Sequence, residues 1–314
     1  MKYEMIKLTM SDGNVNVVHS WKPARTEAVV VLSHGMAEHA SRYEGFAAAL
    51  SAHNIALIAE DHRGHGETAK IAKENGTGDF GYLADKNGFF RVTEDIHEEV
   101  EYAKQIYPGK KVFLFGHSFG SFVTQCYIEK YGDSLDGVII CGTAGPRKGL
   151  IAVGKCVGGI CRLFGKKRVN KFMDKLSFGT YNARIKDAKT PFDWLSRDEE
   201  EVAKYINDPW CGFVCTSGFY SDLFSGLTYI HKNRNMKKIP QNLPVFFIDG
   251  TGDPVGNYAD TVTKLCSIYK KNGIKTVDIK FYEDARHELL NEINRDEVTA
   301  DVVEWLERRI KLDK

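Results

Sequence analysis

Ser118 lies in the pentapeptide Gly116-His117-Ser118-Phe119-Gly120, which has the pattern Gly-x-Ser-x-Gly. Residues 112–115 before it are apolar and β-prone, and residues 121–131 after it have apolar side chains at helical spacing. A strand, a sharp turn and a helix are the context of a nucleophile elbow, in which a strained turn lifts the serine hydroxyl clear of the sheet. The pattern therefore predicts that Ser118 is a nucleophile. The alternative is a glycine-rich turn that contains an incidental serine.

The candidate base follows from the histidines after Ser118. A serine hydroxyl is a poor nucleophile at neutral pH and needs a histidine base that is held by a carboxylate. Around a nucleophile elbow the three residues follow in the order Ser, acid, His, each after a strand. Only His231 and His287 follow Ser118, and His287 comes just after the last predicted strand, residues 277–282. His287 is therefore the predicted base.

The candidate acid is Asp253, in the sequence Gly252-Asp253-Pro254-Val255. It follows the predicted strand 245–248, so its order and position suit the acid of a triad. The alternative interpretation is an ordinary Asp-Pro turn residue. Asp249 lies too close to the end of the strand, and Asp284 is the second choice.

A catalytic serine of this kind also needs an oxyanion hole, two backbone N–H groups that stabilise the negatively charged oxygen of the intermediate. One is expected from Phe119, directly after the nucleophile. The other is expected from Met36, in the loop after the predicted strand 28–32, where Gly35 allows a close approach of the backbone. His34, Glu38 and His39 are expected to hold this loop by hydrogen bonds.

Strands that alternate with helices must position these residues. The apolar runs predict buried parallel strands at residues 28–32, 55–59, 112–115, 137–141, 245–248 and 277–282, after an antiparallel hairpin over residues 3–21. The rhythm is lost in residues 144–235, the cap segment, which is predicted to be a helical insertion. Three parts are therefore expected: residues 1–143 and 236–314 as the two parts of one α/β core, and residues 144–235 as the cap.

One helical stripe in the cap segment has two interpretations. Leu150, Val153, Val157, Ile160 and Phe164 are three and four residues apart, and Lys148, Lys155 and Arg162 fall on the opposite side, followed by Lys166, Lys167, Arg168 and Lys171. The favoured interpretation is a helix that packs its apolar stripe on the core and leaves its basic face in water. The other is an interfacial helix that contacts an anionic membrane.

The composition excludes several classes of protein. The chain has 314 residues with 43 basic and 42 acidic side chains, so no global positive field indicates nucleic-acid binding. Seven cysteines lie mostly in apolar stretches, and none has companion histidines at zinc-ligand spacing. Reduced thiols, no metal site, no signal peptide, no transmembrane span and a cytoplasmic location are therefore expected.

Taken together, these motifs resemble those of the monoacylglycerol lipase and lysophospholipase branch of the α/β hydrolases, related to the serine aminopeptidase-type hydrolases. The resemblance rests on residues 34–43 (HGMAEHASRY), residues 61–66 (DHRGHG), the elbow, residues 252–255 (GDPV) and residues 286–288 (RHE), in matching order from about residue 28 onward. Phe119 and Ser121 depart from the usual elbow of the branch, which has Met and Gly there.

The resemblance implies the α/β-hydrolase fold, a mostly parallel central sheet with helices on both faces and a helical cap inserted after the strand that follows the elbow. It also implies hydrolysis of a lipid-like ester, a monoacylglycerol or lysophospholipid, through an acyl-enzyme on Ser118 without a cofactor. Ser118, Asp253 and His287 would form the triad, and Met36 and Phe119 the oxyanion hole.

Three alternatives remain open. One is a general carboxylesterase. Another is a proline-releasing aminopeptidase, which would need acidic cap residues such as Asp193 or those at positions 199–201 to hold a substrate ammonium. The third is a non-catalytic ligand-binding protein that keeps the fold. Peripheral contact of the basic cap segment with a membrane is also open, and the sequence gives no prediction of oligomeric state.

Overall fold

The computed structural model of the protein describes residues 1–311. Eight strands form a single sheet in the order β1-β2-β4-β3-β5-β6-β7-β8. The first two strands pair antiparallel, β2 pairs antiparallel with β4, and the remaining neighbours are parallel. The strands are β1 Lys2–Thr9, β2 Val15–Lys22, β3 Ala28–Ser33, β4 Ile55–Glu60, β5 Lys111–His117, β6 Gly137–Cys141, β7 Val245–Gly250 and β8 Val277–Tyr282.

Eleven α-helices connect or cover these strands within residues 1–311. They are α1 Glu44–Ala52, α2 Gly66–Glu74, α3 Gly88–Ile106, α4 Phe119–Tyr131, α5 Lys148–Leu163, α6 Lys171–Phe178, α7 Glu199–Asn207, α8 Ser217–Ile230, α9 Asn233–Met236, α10 Asp260–Lys271 and α11 Arg295–Lys311. Helices α5 to α9 all lie between β6 and β7. The strand and helix order confirms the predicted α/β-hydrolase fold.

The central strands are apolar throughout because helices cover the sheet on both faces. In β3, Val29 and Val31 face a core that includes residues of α3, α4, α8 and α10. Val30 and Leu32 face the other core, which includes residues of α1 and α11. Alternation of side chains along a strand divides the residues between the two cores. Since β3 to β8 run parallel, their carboxyl ends meet at one edge of the sheet.

Helix α2 was not predicted, because its first turn follows the glycine-rich sequence at residues 61–66. Its N-terminus is stabilised from outside the helix: the carboxylate of Asp61 accepts a hydrogen bond from the backbone N–H of Glu67 at 2.8 Å. A carboxylate at this position satisfies one of the unpaired amides of the first turn. The start of the helix therefore depends on Asp61, six residues before Glu67 in the chain. The spacing of apolar residues does not reveal such a contact.

The favoured interpretation of the α5 stripe is wrong. Ile151, Gly154 and Gly158 are the buried residues of this helix. Four of the five stripe residues are instead exposed, with 53% of Leu150, 56% of Val153, 52% of Ile160 and 77% of Phe164 accessible to solvent, and only Val157 packs against the core. The helix packs through its glycines instead. Helix α5 lies so close to α8 that a Cβ at Gly154 would be 2.2 Å from the ring of Phe224.

Among residues 1–311, no helix has both the length and the apolar character needed to cross a bilayer. All seven cysteines are in this part of the chain and have free thiols.

Candidate active site

The nucleophile elbow connects β5 to α4 in a strained turn. Ser118 has φ 53° and ψ −119°, a conformation that costs a residue with a side chain about 1–3 kcal/mol. Its carbonyl oxygen accepts hydrogen bonds from the backbone N–H of Ser121 at 2.9 Å and from the hydroxyl of Ser121 at 2.5 Å. Gly120 is required because a Cβ there would lie 2.0 Å from the carbonyl oxygen of Ser33. Close packing of α4 on β3 therefore holds the turn.

Ser118, His287 and Asp253 form a continuous hydrogen-bonded chain. His287 Nε2 lies 2.8 Å from Ser118 Oγ, and His287 Nδ1 lies 2.7 Å from Asp253 Oδ2. The other oxygen of Asp253 accepts a hydrogen bond from the backbone N–H of Val255 at 2.8 Å. Burial by itself raises the pKa of Asp253, but the contact with His287 outweighs it and holds the pKa below its ordinary value. The acid is therefore ionised when it faces the imidazole.

The other candidates for base and acid have different surroundings. His231 lines a cavity that also contains Ser118. Its Nε2 lies 3.2 Å from the carbonyl oxygen of Ala144, and burial lowers its pKa to about 4. Asp284 is exposed on the surface. Asp249 is fully buried beside Asp253 rather than beside His287. The structure thus brings together the three residues that the sequence favoured.

Met36 and Phe119 lie with Ser118 in the wall of one cavity. The loop that carries Met36 passes directly over the nucleophile, since a Cβ at Gly35 would be 3.1 Å from Ser118 Cβ and 2.6 Å from Glu38 Oε1. The backbone N–H of Gly35 donates to Glu38 Oε1 at 2.5 Å, which fixes the course of the loop. Their roles as oxyanion donors remain a prediction.

A buried ionic network joins this loop to the loop that carries His287. Arg42 donates to Glu38 Oε2 at 2.7 Å and to both carboxylate oxygens of Glu288 at 2.7 Å. His117 Nδ1 lies 3.2 Å from Glu38 Oε1. Burial raises the pKa of Glu38, but His117 and Arg42 reverse this effect and hold it well below its ordinary value. Sequence reasoning missed the part played by Arg42, although it stands in the motif at residues 34–43.

The cap segment holds residues 284–292, the base loop, from the other side. Arg286 Nη1 donates to the carbonyl oxygen of Asp193 at 2.6 Å and to that of Ser196 at 2.9 Å. The backbone N–H of Glu288 donates to the carbonyl oxygen of Leu195 at 2.7 Å. The ring of Trp194 lies 5.1 Å from that of His287, centroid to centroid. The position of the predicted base therefore depends on residues 193–196 of the cap segment.

A cavity of about 470 Å³ opens at Ser118 and extends under the cap segment. This volume is in the range of sites for small molecules. Apart from Glu38 and Glu288, which are paired with Arg42, its charged wall residues are Arg147, Asp174 and Lys175. The wall is mostly apolar and includes Phe122, Ile151, Phe178, Phe213, Leu223 and Phe224.

His39, Asp208 and Cys211 form a cluster whose donor atoms could hold a metal ion, since they lie within 4.8 Å of one another. However, His39 and Asp208 are hydrogen-bonded to each other, and the thiol of Cys211 is held in its protonated form. His39 Nε2 is 2.8 Å from Asp208 Oδ2, His39 Nδ1 is 2.8 Å from Ser41 Oγ, and burial raises the pKa of the Cys211 thiol. A metal would need the thiolate and a free imidazole nitrogen. The cluster instead joins the loop that carries Met36, at His39, to the cap segment, at Asp208.

Comparison with known proteins agrees with this geometry. Residues 24–294 match the model of the family described as serine aminopeptidase, S33. The chain belongs to the S33 family. Among curated proteins the chain is similar to monoacylglycerol lipase of Mycolicibacterium smegmatis, with 27% identity over 94% of this chain and 94% of that protein. It is also similar to monoglyceride lipase of Homo sapiens, with 26% identity over 96% and 90% of the two chains.

The chain also resembles solved structures over nearly its whole length. A carboxyl esterase from Bacillus coagulans, solved in complex with glycerol, has a TM-score of 0.90 and 28% identity, and the match covers 99% of each chain. These similarities place the chain in the monoacylglycerol lipase branch of the α/β-hydrolase superfamily, as the motifs indicated. Together they support an ester-hydrolysing α/β-hydrolase.

Proposed function

We propose that the protein is a serine hydrolase that cleaves carboxylic esters of lipid-like substrates, monoacylglycerols or lysophospholipids, through an acyl-enzyme on Ser118. The observation that carries the proposal is the hydrogen-bonded chain from Ser118 Oγ through His287 to Asp253, which ends in a largely apolar cavity. A lipid-like acyl chain matches this lining, because transfer of apolar surface from water is favourable.

The mechanism follows from the roles of the three side chains. His287 Nε2 takes the proton of Ser118 as Oγ attacks the ester carbonyl, and Asp253 stabilises the imidazolium that forms. The backbone N–H groups of Met36 and Phe119 stabilise the oxyanion. The ester C–O bond then breaks, and His287 gives the proton to the leaving alcohol. Water repeats the sequence on the acyl-enzyme and releases the fatty acid and free Ser118.

The aminopeptidase alternative is less well supported by the charges near Ser118. Asp193 and the acidic residues 199–201 lie outside the wall of the cavity. Asp174 is in the wall, but it accepts a hydrogen bond from the hydroxyl of Tyr220 at 2.9 Å, and burial raises its pKa. Arg147 and Lys175 add positive charge there. A substrate ammonium would therefore meet little negative charge, whereas a neutral or anionic lipid head would not be repelled.

The cap segment is the part that we infer contacts a membrane. Leu163, Phe164 and Phe172 have 84%, 77% and 63% of their surface exposed. Basic side chains at positions 167, 168, 171 and 175 are exposed between or beside them. Leu150, Val153 and Leu176 are half exposed and also line the cavity, so the apolar surface continues into its mouth. This surface suits the interface of an anionic bilayer and would admit lipid from it.

The test is a hydrolysis panel with wild type and Ser118→Ala. It contains monoacylglycerols and lysophospholipids of several chain lengths, short p-nitrophenyl esters and proline amino-terminal amides. We expect a Ser118-dependent preference for the long-chain lipids. A preference for short esters would leave a general carboxylesterase, and a preference for the amides would leave an aminopeptidase.

A fluorophosphonate probe distinguishes an enzyme from a non-catalytic binding protein. We expect rapid covalent labelling of wild type, and loss of labelling in Ser118→Ala and His287→Ala. Retained labelling in Ser118→Ala would mean that another residue is the nucleophile. No labelling of wild type would leave the binding protein as the remaining interpretation.

A further inference from the structure

Asp249 is a second buried carboxyl group behind the triad. It is the fifth residue of β7, and both Asp249 and Asp253 have no exposed surface. The two residues are four positions apart in the chain, and their carboxyl groups are close enough to interact directly. Sequence reasoning assigned no role to Asp249, because it is too close to the strand end to serve as the acid.

Only one of the two carboxyl oxygens of Asp249 has a hydrogen-bond donor among residues 1–311. Its Oδ1 accepts a hydrogen bond from the backbone N–H of Gly250 at 3.0 Å. Its Oδ2 is buried and has no donor partner among residues 1–311. A Cβ on Gly256 would lie 2.4 Å from Oδ2 and 3.2 Å from the carbonyl oxygen of Thr143, so the backbone packs tightly there. An ionised carboxylate would leave this oxygen unpaired, whereas a carboxylic acid can donate from it.

Two ionised carboxylates cannot share so dry a position, because their repulsion is not screened by water. Burial and the charge of Asp253 both raise the pKa of Asp249 well above its ordinary value, and the pKa of Asp253 is lowered. The other titratable groups that face the pair are Cys141 of β6, Cys266 of α10 and Tyr181 of the cap segment. Burial raises the pKa of each, so they are uncharged at neutral pH.

We propose that Asp249 is a protonated carboxylic acid that donates a hydrogen bond to the Asp253 carboxylate, and that it acts as a positioning residue of the triad. The pair then carries a single negative charge, held on Asp253. This hydrogen bond spreads the charge of Asp253, which weakens its stabilisation of the His287 imidazolium. Loss of the hydrogen bond from Asp249 would strengthen this stabilisation, and a profile of activity against pH can detect the change.

The inference rests on the proposed role of Ser118, and its test uses Asp249→Ala and Asp249→Asn. Asparagine keeps a donor of the same shape, and alanine removes it. We measure kcat/KM for a short p-nitrophenyl ester and the fluorophosphonate labelling rate against pH. We expect Asp249→Ala to move the acid limb of both profiles up by about 0.5 pH unit or more. We expect Asp249→Asn to restore the limb to within about 0.2 pH unit of wild type.

An infrared difference spectrum gives a readout independent of activity. We expect the spectrum of wild type minus that of Asp249→Asn at neutral pH to show the carbonyl stretch of a buried carboxylic acid. The contribution of other protonated acids such as Glu129 is the same in both proteins and cancels. If Asp249→Ala does not fold, as judged by circular dichroism, this comparison and the Asp249→Asn profile decide the matter.

The proposal is overturned if the carboxylic-acid band is absent from the difference between wild type and Asp249→Asn, or if Asp249→Asn shifts the limb as Asp249→Ala does. A downward shift in both variants would mean that Asp249 is ionised in wild type, since both remove its charge. An unshifted limb in Asp249→Ala with only a lower melting temperature would make the role structural. Absence of labelling in wild type would instead be a failure of the proposed function.

Discussion

Arg42 and Glu288 form a buried bidentate ion pair, with both N–O distances at 2.7 Å. They are 246 residues apart in the chain. Arg42 follows the predicted oxyanion loop, and Glu288 is the neighbour of His287. The two loops that are proposed to act on the same carbonyl group are therefore fixed to each other by one guanidinium group, whose planar shape matches a carboxylate.

Replacement of Arg42 by methionine tests this link. It removes the guanidinium group that pairs with two buried carboxylates, Glu38 and Glu288, so we expect the free energy of unfolding in urea to fall by about 3–5 kcal/mol. We also expect slower fluorophosphonate labelling of the molecules that remain folded, because both loops lose their common partner. Unchanged labelling per folded molecule would limit the pair to a role in stability.

The matched control for Arg42 is Arg295→Met. Arg295 pairs with Asp198 at 2.7 Å, but its side chain is 44% exposed. We expect a loss of less than about 1 kcal/mol, because exposed ion pairs contribute little. A similar loss in both variants would contradict the importance of burial.

Gly35→Ala is expected to displace the oxyanion loop. Its Cβ would meet Glu38 Oε1 at 2.6 Å and Ser118 Cβ at 3.1 Å, so the loop must move away from the nucleophile. Loss of one oxyanion donor reduces kcat by about 100-fold or more, and we expect an effect of that order on a p-nitrophenyl ester. Gly45→Ala in α1 is the control, since its Cβ would meet nothing within 4 Å. There we expect wild-type activity and slightly higher stability from better helix propensity. Wild-type kcat in Gly35→Ala would show that the loop does not act on the substrate.

The buried carboxyl group of Glu129 is expected to make the stability of the fold depend on pH. It is 3% exposed, neither of its carboxylate oxygens has a partner among residues 1–311, and burial raises its pKa to about 10. The unfolded chain releases this proton near pH 4 while the folded chain keeps it, so stability falls as the pH rises between these two values. We expect Glu129→Gln to raise the melting temperature, with a gain that increases between about pH 5 and pH 9.

Glu94→Gln is the control of opposite sign. Lys130 and the hydroxyl of Tyr131 bind the Glu94 carboxylate, and although burial opposes them, they lower its pKa. Its stabilisation is present above the unfolded pKa and disappears as the pH falls. We therefore expect Glu94→Gln to destabilise the protein at neutral pH and to become neutral in acid. The same pH slope in both variants would contradict the assignment.

The inferred membrane contact predicts the effect of the double change Leu163→Ser and Phe164→Ser. Each side chain is worth up to about 1.5–3 kcal/mol when it is buried, so we expect binding to anionic vesicles to fall at least about tenfold in a sedimentation assay. Hydrolysis of a short soluble ester is expected to be unchanged. Ile293→Ser is the control, because Ile293 is 62% exposed but lies outside the cap segment. Equal loss in the control, or none in the double variant, would contradict a specific interface.

Much of the core could be predicted because buried parallel strands appear as apolar runs. The order of these strands then restricted the triad to a few positions after strand ends. This is why Ser118, Asp253 and His287 were predicted and lie together, although their catalytic roles stay predictions. Helix α11, at Arg295–Lys311, was predicted with the same boundaries, because a long amphipathic helix gives a strong periodic signal.

The features that escaped prediction depend on contacts between distant residues. No local pattern connects Arg42 with Glu288. The burial of α5 also could not be derived from its stripe, since close packing against α8 uses Gly154 and Gly158, which have no hydrophobic side chain to reveal the face. Asp249 was set aside from its position in the strand, and its burial beside Asp253 is visible only in three dimensions.

The contacts between residues 193–196 and the base loop divide the cap segment into two parts with different freedom to change. Movement or exchange of residues 193–196 would disturb Arg286 and Glu288 and with them the base. Helices α5 and α6 line the cavity without being among the partners that hold His287. Substrate range can therefore diverge by substitution in these two helices while the chemistry is inherited intact, and chimaeras of related lipases should be joined within residues 144–192 rather than after them.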